Sequence, residues 1–181
     1  MEGKKLNRRS IRLPGYDYSQ ENYYFITICS ANRRCLFGKI DNCEMKLNDF
    51  GEYIKDFWLD VEKYFVNIEI DELIVMPNHL HIIIIIHDDI FRQNKESQGG
   101  ETPPLRPIQI KPSIGQIIGY YKYQTTKKFS AECGFIGRKI WQRNYFEHII
   151  RNEKSLETIR GYIMINPSTW EKDRNNPKYL Q

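Results

Sequence analysis

Two histidines separated by one residue are the clearest candidates for chemistry in this sequence of 181 residues. His79 and His81 lie in the segment PNHLH, ahead of a run of isoleucines. Because residues two apart on a β-strand point to the same face, the two imidazoles are predicted to lie side by side. Two imidazoles so placed can bind one divalent ion. The alternative is a pair of strand-edge histidines that hydrogen-bond to water or to carboxylates.

A third ligand and a nucleophile would have to come from another element. His87 shares the strand face of His81 but lies about 20 Å further along the strand, too far to complete the site. Tyr162 and Asn166 are four residues apart, so they stack on one face of a predicted helix, beside its apolar stripe. Side chains there can reach a neighbouring strand. The alternative is a rim tyrosine followed by an asparagine that ends the helix.

The elements that must position these residues follow from hydrophobic periodicity and capping residues. They are a strand over 23–29, a helix from 48 to about 65, strands over 68–76 and 79–87, a helix from 113 to about 129, a strand over 145–150, and a last helix that Asn152 caps and Pro167 terminates. This order matches the split βαβ arrangement of ferredoxin-like folds. The sequence therefore predicts an α+β fold, with an antiparallel sheet, helices on one face and an extra C-terminal helix.

One domain is expected over 1–170, since a chain of this length buries one sizeable core. The polar segment 88–112, with Gly99-Gly100 and Pro103-Pro104, is predicted to be a mobile surface insertion. The residues after Trp170 are predicted to form a loose polar tail over 171–181. The longest apolar run, 80–86, is far below the ~20 residues of a membrane helix.

A cytoplasmic location is expected from the N-terminus and the cysteines. The N-terminus is basic but lacks the apolar stretch of a signal peptide. The four cysteines form no CxxC pair, which favours reduced thiols over a disulfide framework.

Charge is segregated along the chain: residues 1–40 carry +5, residues 41–101 carry −9, residues 102–110 carry +1 and residues 111–181 carry +7, for a total of +4. The two basic ends can fold into one positive face that holds a polyanion, although a solvated basic surface explains the same numbers. The candidate phosphate-binding cations are Arg33, Arg34, Lys122, Lys127, Lys128, Arg138, Lys139 and Arg143.

Three blocks of sequence together resemble a known family. They are PNHLH at 77–81, WQRNYFEHIIRN at 141–152 and GYIMINP at 161–167. In this combination and spacing they resemble the REP-associated tyrosine transposases, relatives of single-strand insertion-sequence transposases within the His-hydrophobic-His endonuclease superfamily. The resemblance spans about residues 23–170.

The resemblance implies that Tyr162, on the extra helix, is a nucleophile that attacks DNA and forms a 5′-phosphotyrosine intermediate. It implies that His79, His81 and Asn166 bind Mg²⁺ or Mn²⁺, which would polarise the scissile phosphate. Related insertion-sequence enzymes often carry Gln at the position of Asn166. The implied substrate is single-stranded DNA with hairpin repeats, and the family contains both monomers and homodimers. His148 lies in the second block, where it either supports the site or packs.

Two alternatives to this interpretation stay open at the level of sequence. A non-catalytic single-stranded nucleic-acid-binding protein on the same fold would need neither metal nor Tyr162. A metal-dependent hydrolase would turn over substrate without a covalent intermediate. Of the rival tyrosines Tyr120, Tyr121, Tyr123 and Tyr145, only Tyr120 has a suitable amide four residues on, Gln124, and it is the competing nucleophile.

Overall fold

A computed structural model describes residues 13–88, 111–133, 137 and 139–179, without side-chain detail at 132 and 133. The strands are β1 (Asn22–Cys29), β2 (Gly38–Asp41), β3 (Glu44–Leu47), β4 (Ile68–Val75), β5 (His79–Ile86) and β6 (Phe146–Ile150). The helices are α1 (Asp49–Tyr64), α2 (Ile114–Cys133) and α3 (Glu153–Ile165). The main sheet has the order β4-β5-β1-β6 with antiparallel neighbours. The predicted α+β ferredoxin-like fold is confirmed.

Side-chain caps begin the helices where the sequence predicts. The Asn48 side chain accepts from the Gly51 amide at 2.8 Å, and the Asn152 side chain accepts from the Ser155 amide at 2.9 Å. Such bonds satisfy amides that lack a partner within the helix. Ser113 begins α2 with a reciprocal pairing, since its backbone N–H donates to Gln116 Oε1 at 2.9 Å.

The isoleucine run of β5 serves two hydrophobic cores, one on each face of the sheet. Ile82, Ile84 and Ile86 belong to the core under α1 and α2, which also contains Trp58 and Tyr121. Ile83 belongs to the smaller core under α3. Every residue of β5 is buried, as expected for a central strand covered on both sides.

A β2–β3 hairpin is absent from the sequence prediction. Its two-residue turn places Asn42 and Cys43 at φ values of 50° and 63°, a geometry for which Asn-Gly is the usual signal. Because cysteine rather than glycine stands at the second turn position, the sequence lacks this signal and the hairpin was not predicted.

The tail after Trp170 differs from the predicted loose segment. Residues Pro167–Lys172 and Pro177–Tyr179 form short 3₁₀ helices. Asp173, Asn175 and Asn176 are all buried. The tail is not loose, because the backbone carbonyls of Arg174 and Asn175 accept hydrogen bonds from Arg33 and Asn78.

Most of the predicted insertion 88–112 lies outside the described residues, as does Arg138. Cys29, Cys35 and Cys43 are free thiols, in agreement with the sequence prediction. No helix in the described part of the chain has the length and apolar character needed to cross a membrane.

A bidentate ion pair holds α3 against β4. Arg160 donates from Nε to Asp71 Oδ2 at 2.9 Å and from Nη2 to Asp71 Oδ1 at 2.6 Å. Asp71 lies at a register shift of β4, between Ile70 and Glu72. The pair is only partly exposed, and such fork-like bonds fix geometry as well as adding energy. It therefore helps to set the position of Tyr162, two residues after Arg160.

We expect Asp71→Ala to lower the free energy of unfolding by about 1–2 kcal/mol, because charged hydrogen bonds of this kind are worth more than exposed ion pairs. Urea denaturation followed by circular dichroism measures the change. Asp60→Ala, which removes the exposed Lys63–Asp60 pair, is the matched control and should change the value by less than about 0.5 kcal/mol. Equal effects of the two variants would contradict the assignment.

Candidate active site

The register of the sheet brings both histidines to the face that α3 covers. The backbone N–H of Met76 donates to the carbonyl of His79 at 2.8 Å, closing the turn between β4 and β5. In β5, His79 pairs with Cys29 and His81 pairs with Thr27 of β1. Both imidazoles are fully buried, while Leu80 enters the opposite core. The predicted alternation of this strand is confirmed.

The Asn78 side chain sets the proton position on His79. Its Nδ2 donates to the carbonyl of Arg33 at 2.9 Å and to the carbonyl of Asn175 at 2.8 Å. Since carbonyls only accept, the amide orientation is fixed, and Asn78 Oδ1 faces His79 Nδ1 at 2.9 Å. His79 must therefore donate from Nδ1, which leaves a lone pair on its Nε2.

His81 has a more permissive partner. Its Nδ1 lies 2.8 Å from Thr27 Oγ1, a hydroxyl that can donate or accept. Its Nε2 lies 3.1 Å from His79 Nε2. When Thr27 accepts from Nδ1, the lone pairs of both Nε2 atoms point into one small space, as they do around a shared cation.

Burial keeps both rings neutral. It lowers the pKa of His79 to about 3, with the positive charges of Arg33 and Arg174 acting in the same direction. Burial also places the pKa of His81 well below its usual value, and the neighbouring His79 contributes. Neutral imidazole is the form that ligates metals.

Asp173, from the tail, adds a carboxylate to the two imidazoles. Its Oδ2 lies 3.6 Å from His79 Nε2, too far for a hydrogen bond, and its Oδ1 accepts from the Asn175 amide at 2.6 Å. Ligand atoms of His79, His81 and Asp173 lie within 4.8 Å of one another, and all three residues are buried. A neutral imidazole pair with one carboxylate suits a divalent cation, so this group can bind a metal.

Tyr162 projects from α3 to the edge of this group. Its hydroxyl lies 3.3 Å from His81 Nε2, and its ring centroid lies 5.2 Å from that of His81. The residue is 40% exposed, so a ligand in solvent can reach it. Burial of the hydroxyl raises the pKa of Tyr162, partly opposed by the Asn166 amide. The phenol is therefore protonated at neutral pH.

Asn166 ends α3 one turn after Tyr162, next to Pro167. The residue is almost completely buried, and its amide nitrogen and oxygen have no partner of hydrogen-bonding geometry among the described residues. A buried amide without such a partner is costly. The position thus retains free ligand capacity beside the tyrosine.

Sequence reasoning missed Asp173, although it found the two histidines. The residue lies in the polar stretch EKDRNNP, where nothing in hydrophobic periodicity marks a site. The available signal was a carboxylate among asparagines, shortly after the block 161–167. Only the contact between the tail and Asn78 reveals its position.

Several predicted phosphate-binding cations are already engaged. Lys122 donates to the carbonyls of Gln142 and Asn144, and burial lowers its pKa to about 8. Arg34 donates to the carbonyl of Lys139 at 3.1 Å, and Arg33 donates to the carbonyl of Arg174 at 2.8 Å.

The bonds that Arg33, Arg34 and Lys122 donate tie loops together. Lys128 lies over the ring of Tyr53, on α1. Among the described residues, no hydrogen bond, ion pair or ring contact joins Lys127, Lys139 or Arg143 to His79 or His81.

Two other predicted residues lie away from the histidines. Tyr120 stacks on Tyr64 of α1 at 4.3 Å between ring centroids, and α1 and α2 cover the opposite face of the sheet. This position does not favour Tyr120 as the competing nucleophile. His148 is exposed on β6, where it pairs with Phe25 and lines a groove beside α3.

We expect Asn78→Ala to weaken Mn²⁺ binding about 10- to 100-fold, because residues that orient a metal-binding histidine contribute to affinity on this scale. Isothermal titration calorimetry measures the dissociation constant. Asn67→Ala is the matched control, since it removes a buried asparagine at the other end of β5 and should leave the constant unchanged. Equally tight binding by Asn78→Ala would contradict the role of its amide.

Comparisons of sequence and of structure relate this chain to known proteins. No protein-family model matches it. An uncharacterized protein of Haemophilus influenzae is 42% identical over 168 residues, which are 93% of this chain and 92% of that protein. A second protein of the same bacterium, named for the REP-associated tyrosine transposases, is 23% identical over 160 residues, or 83% of this chain and 73% of that protein.

A solved structure has the same fold as this chain. It is a REP-associated tyrosine transposase bound to a REP hairpin, with a TM-score of 0.51 and 21% identity over 87% of this chain and 73% of that one. The resemblance seen in the three sequence blocks is confirmed. The chain belongs to one family with the 42% identical Haemophilus protein, and sequence and fold together relate it to the REP-associated tyrosine transposases.

Proposed function

We propose that this chain is a metal-dependent endonuclease and strand transferase that acts on single-stranded DNA through Tyr162. The observation that carries the proposal is the Tyr162 hydroxyl 3.3 Å from His81 Nε2, beside a buried group that can bind a divalent ion. The solved transposase with the same fold is bound to a REP hairpin, which supports hairpin DNA as the substrate class.

His79, His81 and Asp173 are the proposed metal ligands, with the amide oxygen of Asn166 as a further one. The ligand atoms of His79, His81 and Asp173 converge. Asn166, one turn after Tyr162, has a buried amide without a hydrogen-bond partner among the described residues. Mg²⁺ or Mn²⁺ bound there would polarise the scissile phosphate. Two imidazole nitrogens favour Mn²⁺ over Mg²⁺ on grounds of ligand preference, so Mn²⁺ is the appropriate probe.

The proposed reaction exchanges one phosphodiester for another. The Tyr162 oxygen attacks phosphorus, the bond from phosphorus to the 3′ oxygen breaks, and the strand leaves with a 3′-OH. The phenolic proton passes to solvent, and the departing oxygen takes one up. A 5′-phosphotyrosine results, and the 3′-OH of another strand reverses the step with release of the tyrosine. Because the number of phosphodiester bonds is unchanged, joining requires no nucleotide cofactor.

The surroundings of Tyr162 suit this role. Burial raises its pKa, so the hydroxyl attacks as a phenol that must lose its proton during the step. The Phe25 ring packs against both Tyr162 and His81, with centroid distances of 6.2 and 5.3 Å. Arg160 holds α3 to β4. Together these contacts limit the positions that the tyrosine can take relative to the histidines.

A search for covalent adducts tests the proposal. Labelled single-stranded hairpin oligonucleotides from the DNA that flanks the gene are incubated with the protein and Mn²⁺, then separated on a denaturing gel. We expect a slow, covalently linked band that disappears with EDTA and with Tyr162→Phe, since that variant lacks the attacking oxygen.

Tyr120→Phe is the matched control and should retain the band. An adduct that survives Tyr162→Phe would assign the nucleophile to another residue. Cleavage with no adduct would indicate a metal-dependent hydrolase. Tight binding with neither cleavage nor adduct would identify a non-catalytic nucleic-acid-binding protein.

The ligand assignment makes a separate prediction. Asp173→Ala should weaken Mn²⁺ binding at least about tenfold, and Asn166→Ala should weaken it less, because a neutral amide attracts a cation less than a carboxylate does. Electron paramagnetic resonance of free Mn²⁺ measures both. Glu171→Ala, an exposed carboxylate of the same tail, should bind normally. Unchanged affinity in Asp173→Ala would remove this residue from the ligand set.

A further inference from the structure

An open groove runs beside the tyrosine, between β6 and the first turns of α3. It has a volume of about 510 Å³, within the range of small-molecule sites. Phe25 and Phe146 contribute its aromatic part, while His148, Lys154 and Thr158 contribute polar groups. Because β6 is an edge strand of the sheet, nothing in the described sheet continues across this side.

Phe146 is well exposed, at 39%, about as much as Tyr162 itself. Its ring meets Phe25 edge to face, with 6.3 Å between centroids. The guanidinium carbon of Arg174 lies 5.7 Å from the centroid of Phe146. Phe25 in turn contacts Tyr162, so a single ring separates Phe146 from the proposed nucleophile.

The tail holds Arg174 in this position. The carbonyl of Arg174 accepts from Arg33 Nη1 at 2.8 Å, and the neighbouring Asn175 carbonyl accepts from Asn78. The guanidinium of Arg174 is thus presented to Phe146 by a backbone anchored on both sides. The same tail segment supplies Asp173 to the histidines.

An exposed aromatic ring with an arginine beside it is the arrangement that binds unpaired bases. Any base can stack on such a ring, and arginine adds both cation–π attraction and a phosphate contact. Lys154 on the first turn of α3 adds a second positive charge to the groove wall. These charges complement a nucleic acid backbone, and they disfavour an apolar peptide as the occupant.

We propose that Phe146, together with Arg174, stacks one unpaired base of the strand that Tyr162 attacks, with His148 and Lys154 facing the adjoining backbone. The inference rests on the proposed function, because it places the base next to the scissile phosphate. It assigns the groove between β6 and α3 to a nucleotide flanking the cleavage point. It also gives His148 a contact with DNA rather than with the metal.

Equilibrium binding of the full chain to a fluorescein-labelled hairpin oligonucleotide tests the inference. The oligonucleotide comes from the DNA flanking the gene. The protein carries Tyr162→Phe and metal is omitted, so that the DNA is not cleaved. Adding Phe146→Ala should weaken binding about 5- to 150-fold, the range that corresponds to the loss of one stacking aromatic. Phe146→Trp should restore it. Tyr123→Ala, which removes an exposed aromatic of α2, is the matched control and should bind normally.

Abasic substitutions then identify the base. Each unpaired nucleotide is replaced in turn by an abasic residue. At one position only, the proteins with and without Phe146→Ala should then bind the oligonucleotide equally well. A uniform effect at every position, or no effect of Phe146→Ala, would overturn the proposal. Should Phe146→Ala prove unfolded by circular dichroism, photocrosslinking of 5-bromouracil oligonucleotides to the unmutated ring decides. Crosslinks to Phe146 from one position support the stack, and their absence at all positions rejects it.

The two proposals fail separately. Position-specific loss of binding without any covalent adduct would support the base subsite and reject the tyrosine chemistry. A Tyr162-dependent adduct together with unchanged binding by Phe146→Ala would support the chemistry and reject the subsite.

Discussion

The side-chain amide of Asn78 is the interaction on which the candidate site depends. It lies fully buried, and its four possible bonds are largely committed to the His79 ring and to the carbonyls of Arg33 and Asn175. One group thereby orients a histidine, joins the loop after β1 and anchors the tail. Together with the bond from Arg33 to the carbonyl of Arg174, the bond from Asn78 to the carbonyl of Asn175 holds Asp173 and Arg174 at the site.

The second constraint is that the sheet is covered on both faces. Ile82 and Ile84 of β5 pack under α1 and α2, whereas Ile83 and the two histidines face the side of α3. The larger core therefore stabilises the sheet without involving His79, His81 or Tyr162. The smaller core, with Leu156 and Ile163, positions α3, so that Tyr162 lies at its edge rather than inside it.

Sequence reasoning succeeded where local rules determine structure. Strand alternation placed His79 and His81 on one face, and Asn152 correctly begins the helix that carries Tyr162. It failed where contacts between distant segments determine the position of a residue. Asp173 lies 94 residues beyond His79 in the chain, and Lys122 donates to carbonyls whose position depends on the path of the loop before β6. Neither contact has a periodic or compositional signal, because each depends on how already formed elements pack.

We propose that His79, His81 and Asp173 hold a divalent ion next to the Tyr162 hydroxyl. Anomalous X-ray diffraction from crystals grown with Mn²⁺ tests it most directly, since the signal locates the ion without assumptions about activity. We expect one strong peak in bonding contact with both Nε2 atoms and with the Asp173 carboxylate. A well-ordered site with saturating Mn²⁺ in the crystal but no peak between the two histidines would contradict it.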